Sequence, residues 1–124
     1  MSDRSDQAAD PGLCVEALSR RVRVHLAGLT LAETRAALVL RGPTHEAVTY
    51  IPREDIDPAM MEPSADRAYC DGEGERTYFH LPDAGPRAQN AAWSYDDPLP
   101  GLAALKGYIA FNPRCVDWIQ IEAA

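Results

Sequence analysis

The chain has 124 residues, 46% of them hydrophobic and 25% charged, a size and composition that suit one globular domain with a single core and exclude a wholly disordered chain. Twelve Lys and Arg stand against nineteen Asp and Glu, a formal net charge of -7, and such an acidic surface repels phosphate backbones and anionic lipid, so neither nucleic acid nor a membrane is an expected partner. No stretch reaches the roughly twenty apolar residues of a membrane span, and the opening MSDRSDQAAD lacks the basic-then-apolar order of a secretory signal, which makes the cytoplasm the expected compartment.

Residues 1–12 are polar and close with Pro11 and Gly12; they are expected to form a disordered tail ahead of a single β domain over residues 13–124. Residues 14–19 are apolar enough for an edge strand or a helical turn, and their pattern does not separate the two. Val22, Val24 and Leu26 alternate with Arg21, Arg23 and His25, the period of two that marks a half-buried strand. Gly28 marks a turn. Residues 29–33 and 36–40 read as two more short strands, the second stopped by Gly42 and Pro43, and residues 47–51 as a fourth, stopped by Pro52. Asp55 stands where the N-cap of a single helical turn would be, with Pro58 early in the turn, Ala59, Met60 and Met61 following, and Pro63 ending it. Residues 76–81 and 88–95 are strand candidates on either side of the turn sequence PDAGP. Residues 101–106 are helix-prone, and Tyr108–Phe111 and residues 116–121 close the chain as strands. Short strands at roughly ten-residue intervals predict a mainly β fold, a small antiparallel barrel or sandwich with one or two short helices.

All nine aromatic residues lie at or after Tyr50. One reading has them filling the core and cross-strand pairs of a small barrel. The other has Tyr69, Tyr78, Trp93 and Tyr95, with Tyr50, lining a pocket that orients a small ligand. Arg53 follows the strand that ends at Pro52, and its fork would clamp an anion or pair with Glu54 or Asp55.

Three chemical candidates are weaker. Cys70 lies between flexible glycines, but a nucleophilic thiol needs a nearby cation, and its neighbours are Asp71, Glu73 and Glu75. Arg67, Arg76 or His80, reached across a hairpin, would have to fold over it. Asp55 and Asp57 form an Asp-x-Asp pair of the kind that holds magnesium for phosphoryl transfer, although Asp55 has the plainer role of a helix cap. His25, His45 and His80 are not at metal-ligand spacing, so no metal site is expected. Cys14, Cys70 and Cys115 are odd in number and far apart, which reads as separate thiols.

Several segments together resemble a known family. Residues 21–26, Tyr50-Ile51-Pro52-Arg53-Glu54-Asp55, Tyr69-Cys70 with Gly74, Ala92-Trp93-Ser94-Tyr95 with Pro98, and Gly107-Tyr108-Ile109-Ala110-Phe111 look like the domain of unknown function 427 (DUF427), sometimes labelled nucleotidyltransferase-like. The resemblance runs from about Val22 to Ile121. It implies a compact antiparallel β fold of Mss-four-like topology, and it implies no established reaction or cofactor. Members of the family carry Cys-Pro-x-Lys-Gly where this chain has Cys70-Asp71-Gly72-Glu73-Gly74, so a cation of the family pattern is replaced by an acid. The leading expectation is a binding module with an aromatic pocket near Trp93 and Tyr95. The alternatives are an enzyme, using Cys70 as a nucleophile or Asp55 and Asp57 as a magnesium-dependent nucleotidyltransferase site, and an interaction module that offers an edge strand to a protein partner or to a second copy of itself.

Overall fold

The computed structural model describes residues 12–43, 45–70 and 72–122; all of the expected tail except Gly12 lies outside them. Ten strands follow one another along the chain: β1 (Cys14–Leu18), β2 (Val22–Leu26), β3 (Leu29–Thr34), β4 (Ala37–Gly42), β5 (His45–Pro52), β6 (Glu62–Cys70), β7 (Gly74–His80), β8 (Ala92–Pro98), β9 (Tyr108–Phe111) and β10 (Trp118–Ile121). They form a seven-stranded sheet in the order β1-β4-β5-β9-β8-β7-β6 and a three-stranded sheet in the order β10-β2-β3. Every pairing is antiparallel.

The alternation along β2 becomes architecture directly. Val22, Val24 and Leu26 are buried, whereas Arg23 and His25 are half-buried. The buried side of β2 and β3 packs on one face of the large sheet, where Ala37, Ile51, Phe79, Ala92, Ile109 and Phe111 complete the main core. This is the two-layer solution for sheets with one apolar face each, a sandwich. The large sheet ends in the edge strands β1 and β6, and no barrel closes among the described residues.

The opposite face of the large sheet carries a second apolar cluster. Leu40, Tyr50, Tyr95 and Ala110 project from it and are covered by Leu102 and Leu105, which belong to a segment containing the short 3-10 turn Ala103–Leu105. The register produces this division, because Ile51 pairs with Ile109 on the inner side while Tyr50 pairs with Ala110 on the outer side. Consecutive strand residues point to opposite faces, so a single slip would exchange the two clusters.

Several expectations change. Residues 14–19 form the edge strand β1, paired along its length with β4. β6 was not anticipated, because EPSADRAYC has no sustained alternation and is exposed or half-buried throughout; its hairpin with β7 supplies the pairing that its own pattern does not announce. The helical turn after β5 is two 3-10 turns, Arg53–Asp55 and Pro58–Met60. The cap of the second is Asp57, whose Oδ1 accepts the Ala59 N–H at 3.0 Å, and not Asp55. Asp55 instead accepts a hydrogen bond from the Thr34 hydroxyl at 2.7 Å, tying the turn to β3. His80 pairs with Glu62 and Cys70 with Gly74, so the histidine and the thiol stand at opposite ends of the hairpin. Among the described residues no helix is long and apolar enough to cross a membrane.

Gly74 opens β7 with φ +129°, and an added Cβ would stand 2.8 Å from the Asp97 carbonyl oxygen and 3.0 Å from the Pro98 Cα. Backbone atoms cannot swing aside, so Gly74→Ala is expected to cost roughly 2–4 kcal/mol, combining left-handed strain with overpacking. Gly28 has φ +76° but open space around it, and Gly28→Ala should cost only about 1 kcal/mol. Urea unfolding of the two variants tests this ordering, and equal losses would contradict it.

Candidate functional site

The outer face of the large sheet gathers its polar groups around one guanidinium. Alternation in β7 places Arg76 and Tyr78 on this face, and the register of β7 with β8 sets Arg76 opposite Tyr95 and Tyr78 opposite Trp93. The Arg76 guanidinium lies 4.8 Å from the centre of the Trp93 ring, 5.3 Å from that of Tyr95 and 5.9 Å from that of Tyr78, inside the range of attraction between a cation and a ring face. Its Nε and Nη2 donate to the Tyr95 hydroxyl at 3.2 and 2.7 Å. Tyr95 in turn donates to Glu73 Oε1, and Glu73 Oε1 lies 3.7 Å from Arg76 Nη2. Cation, phenol and carboxylate therefore close a small ring of interactions.

Local structure explains why Glu73 reaches this point. It sits in the tight turn between β6 and β7, where its N–H donates to the Cys70 carbonyl at 3.0 Å and its own carbonyl accepts from Leu99 at 2.9 Å. The second bond anchors the segment that carries Leu102 and Leu105 over Tyr95. On the other side of the cluster the Trp93 indole N–H donates to the Tyr50 hydroxyl at 3.1 Å, and the rings of Tyr50 and Tyr95 stand 6.3 Å apart.

Burial sets the ionisation of these groups. It pushes the Tyr50 phenol up to about 12, against the opposing pull of the Trp93 hydrogen bond. Tyr95 is also raised, by burial first and then by its hydrogen bond to Glu73. Burial alone would lower Arg76, but the hydrogen bond and the charge interactions centred on Tyr95 outweigh it and raise the group. At neutral pH the face thus presents a charged guanidinium beside two neutral phenols.

Beside the cluster a cleft of about 350 Å³ is lined by Leu40, Glu46, Val48, Tyr50, Glu73, Arg76 and Trp93. It forms where the sheet is incomplete, because β9 pairs with β5 only from Tyr50 to Pro52. Val48 and Glu46 therefore border open space on that side. One wall is apolar, one is aromatic and one carries the fixed charges, which is the make-up of a small-molecule site.

The residues singled out in the sequence divide. Tyr50 and Trp93 line the cleft. Tyr95 is fully buried and acts from behind, holding Arg76. Tyr78 is half-buried beside the guanidinium. Tyr69 is 60% exposed and pairs with Glu75 away from the cluster. Arg53 lies in a separate cleft with Phe79. Cys70 is half-buried against the outer cluster, and Glu73 turns to Tyr95 and Arg76 instead of standing free beside the thiol. Asp55 and Asp57 are each engaged by a neighbour, and among the described residues no group of three or more His, Cys, Asp or Glu is placed to hold a metal ion. Arg76 was named only as a cation for Cys70 and Glu73 only as an acid beside that thiol, so neither was read as part of the pocket. The alternation of Arg76 with Tyr78 in a strand was a signal for the first; nothing local announces the second.

The fold and this face define an antiparallel β sandwich with an arginine-centred aromatic cleft on its outer side. The family model described as domain of unknown function (DUF427) matches residues 14–122, and the chain belongs to that family. No curated protein matches the chain.

The raised phenols fix the sign of an alkaline response. An unfolded tyrosine ionises near its ordinary value of 10, whereas folded Tyr50 holds its proton up to about 12. The stability this contributes is complete below pH 10 and is lost as pH rises through that window, by up to about 1.4 kcal/mol per pH unit for each such tyrosine. Urea midpoints should fall between about pH 10 and pH 12, and the fall should be shallower in Tyr50→Phe. An unchanged slope in that variant would contradict the assignment.

Proposed function

We propose that the protein is a binding module that takes a small, flat organic molecule in the outer-face cleft. The observation that carries this reading is the fixed position of Arg76 on the cleft wall. Tyr95 and Glu73 hold two of its nitrogens, so the N–H groups left over are pre-aimed and need little ordering when a ligand arrives. The ligand would accept from Arg76, lie along Trp93 and Tyr50, and rest an apolar edge on Leu40 and Val48.

Two acids, Glu46 and Glu73, share the cleft with one guanidinium, and the whole molecule carries a formal charge of -7. This balance opposes a triphosphate, so a neutral or singly charged ligand is favoured over a nucleotide. Three free thiols, Cys14, Cys70 and Cys115, suit a reducing compartment, and the cytoplasm is the proposed one.

A thermal-shift screen of neutral and singly charged aromatic metabolites tests the reading. Trp118 is 57% exposed, and replacing it with Phe leaves Trp93 as the only indole. A ligand at one hundred times its dissociation constant adds about 2.7 kcal/mol, a melting shift of several degrees in a domain of this size. The expected hit also changes Trp93 emission, and Arg76→Met loses both signals. Hits that survive Arg76→Met with Trp93 emission unmoved would place binding elsewhere and refute the proposal.

A further inference from the structure

A second cleft, of about 270 Å³, opens where the turns after β5 meet the β6–β7 hairpin. It shares no residue with the outer-face cleft. Ile56, Met61, Pro63 and Phe79 form its apolar walls, and Arg53 and Glu54 stand on it as charged groups. Ile56 and Phe79 belong to the main core, with Met61 packed against it, so the floor is rigid.

Arg53 is held at both ends of its main chain. Its N–H donates to the Gly107 carbonyl at 3.1 Å, and its carbonyl accepts from Ile56 at 3.2 Å. Arg53 is exposed, and its guanidinium lies 5.2 Å from the centre of the Phe79 ring, a cation-π position that draws the head toward the cleft.

Among the described residues no carboxylate forms an ion pair with this cation. The ion pairs among the described residues join Arg21 to Glu33 and Glu122, Arg23 to Glu33, Arg41 to Glu16 and Arg76 to Glu73, and Arg53 takes part in none. Of the acids that follow it in sequence, Asp55 is committed to Thr34 and Asp57 to its cap, and Glu54 shares the rim of the cleft without forming an ion pair with Arg53. A guanidinium that covers a ring keeps its in-plane N–H donors for another partner, and their fork matches a carboxylate.

We propose that this cleft binds a small apolar monocarboxylate, with the carboxylate on Arg53 and the hydrocarbon body against Ile56, Met61 and Phe79. The volume sets the size, since it lies near the lower end of small-molecule sites, which begin at roughly 300 Å³, and admits a short acyl or aryl acid. The charge sets the class. One guanidinium with Glu54 on the same rim accommodates a single negative charge and opposes a dianion such as a phosphate monoester.

The test is a methyl NMR titration of the whole protein with benzoate, alongside benzyl alcohol, which has a similar ring and no charge. Benzoate should give saturable shifts at the Ile56 and Met61 methyls while Leu40 and Val48 stay still. Benzyl alcohol should bind about tenfold more weakly or worse, and Arg53→Gln should weaken benzoate by a similar factor while leaving benzyl alcohol unchanged. Arg53→Lys should restore part of the loss. The proposal is overturned if benzoate and the alcohol titrate alike, if Arg53→Gln binds benzoate as the parent does, or if no saturable shift appears at Ile56 and Met61.

Discussion

A guanidinium with only 22% of its side chain exposed must find hydrogen-bond partners inside the protein or be expelled from it. Arg76 finds them in Tyr95, which is completely buried, and in Glu73. Each member of the trio depends on the others. Without Arg76, the buried phenol keeps a donor bond to Glu73 but loses both bonds it accepts. Without Tyr95, the guanidinium keeps a partner at 3.7 Å and three ring faces become two. Partly satisfied polar clusters of this kind are costly, so the cluster is held as a unit.

The consequences extend across the outer face. Glu73 enters the cluster from a turn whose carbonyl also holds Leu99, and from there the chain lays Leu102 and Leu105 over Tyr95. The same turn requires Gly74, because the β8 backbone passes too close for a side chain. A polar cluster, a glycine and an apolar cover therefore support one another at one end of the sheet. At the other end β9 stops short of the first half of β5, and the cleft lies between the two.

The repetitive parts of this fold were legible in the sequence. The run Tyr108–Phe111 gives strand β9 with its bounds as read, and the alternation of Val22, Val24 and Leu26 gives strand β2, which begins one residue after Arg21, because one buried side per strand leaves a period of two. β6 was not legible, since an exposed edge strand needs no apolar face and carries Pro63 where pairing becomes irregular. The cap was placed two residues early, on Asp55, because either aspartate satisfies a cap pattern and only the bond from Thr34 distinguishes them. The aromatic side chains were recognised as a group, but their division was not. Tyr95 fills the core, Trp93 borders a cleft and Tyr69 faces solvent, and these fates follow from strand register. Register also joins Arg76 to Tyr95 across 19 residues, a separation at which spacing in the sequence carries no signal.

The claim that Arg76 and Tyr95 organise the outer face is tested most directly by a double-mutant cycle. Urea unfolding would be measured for the parent, Arg76→Met, Tyr95→Phe and the double variant, changes that keep the bulk of each side chain and remove the bonds between them. The account predicts a coupling energy of about 1–3 kcal/mol, the range of groups that share a hydrogen-bond network. Additivity within about 0.5 kcal/mol, the behaviour of independent sites, would contradict it.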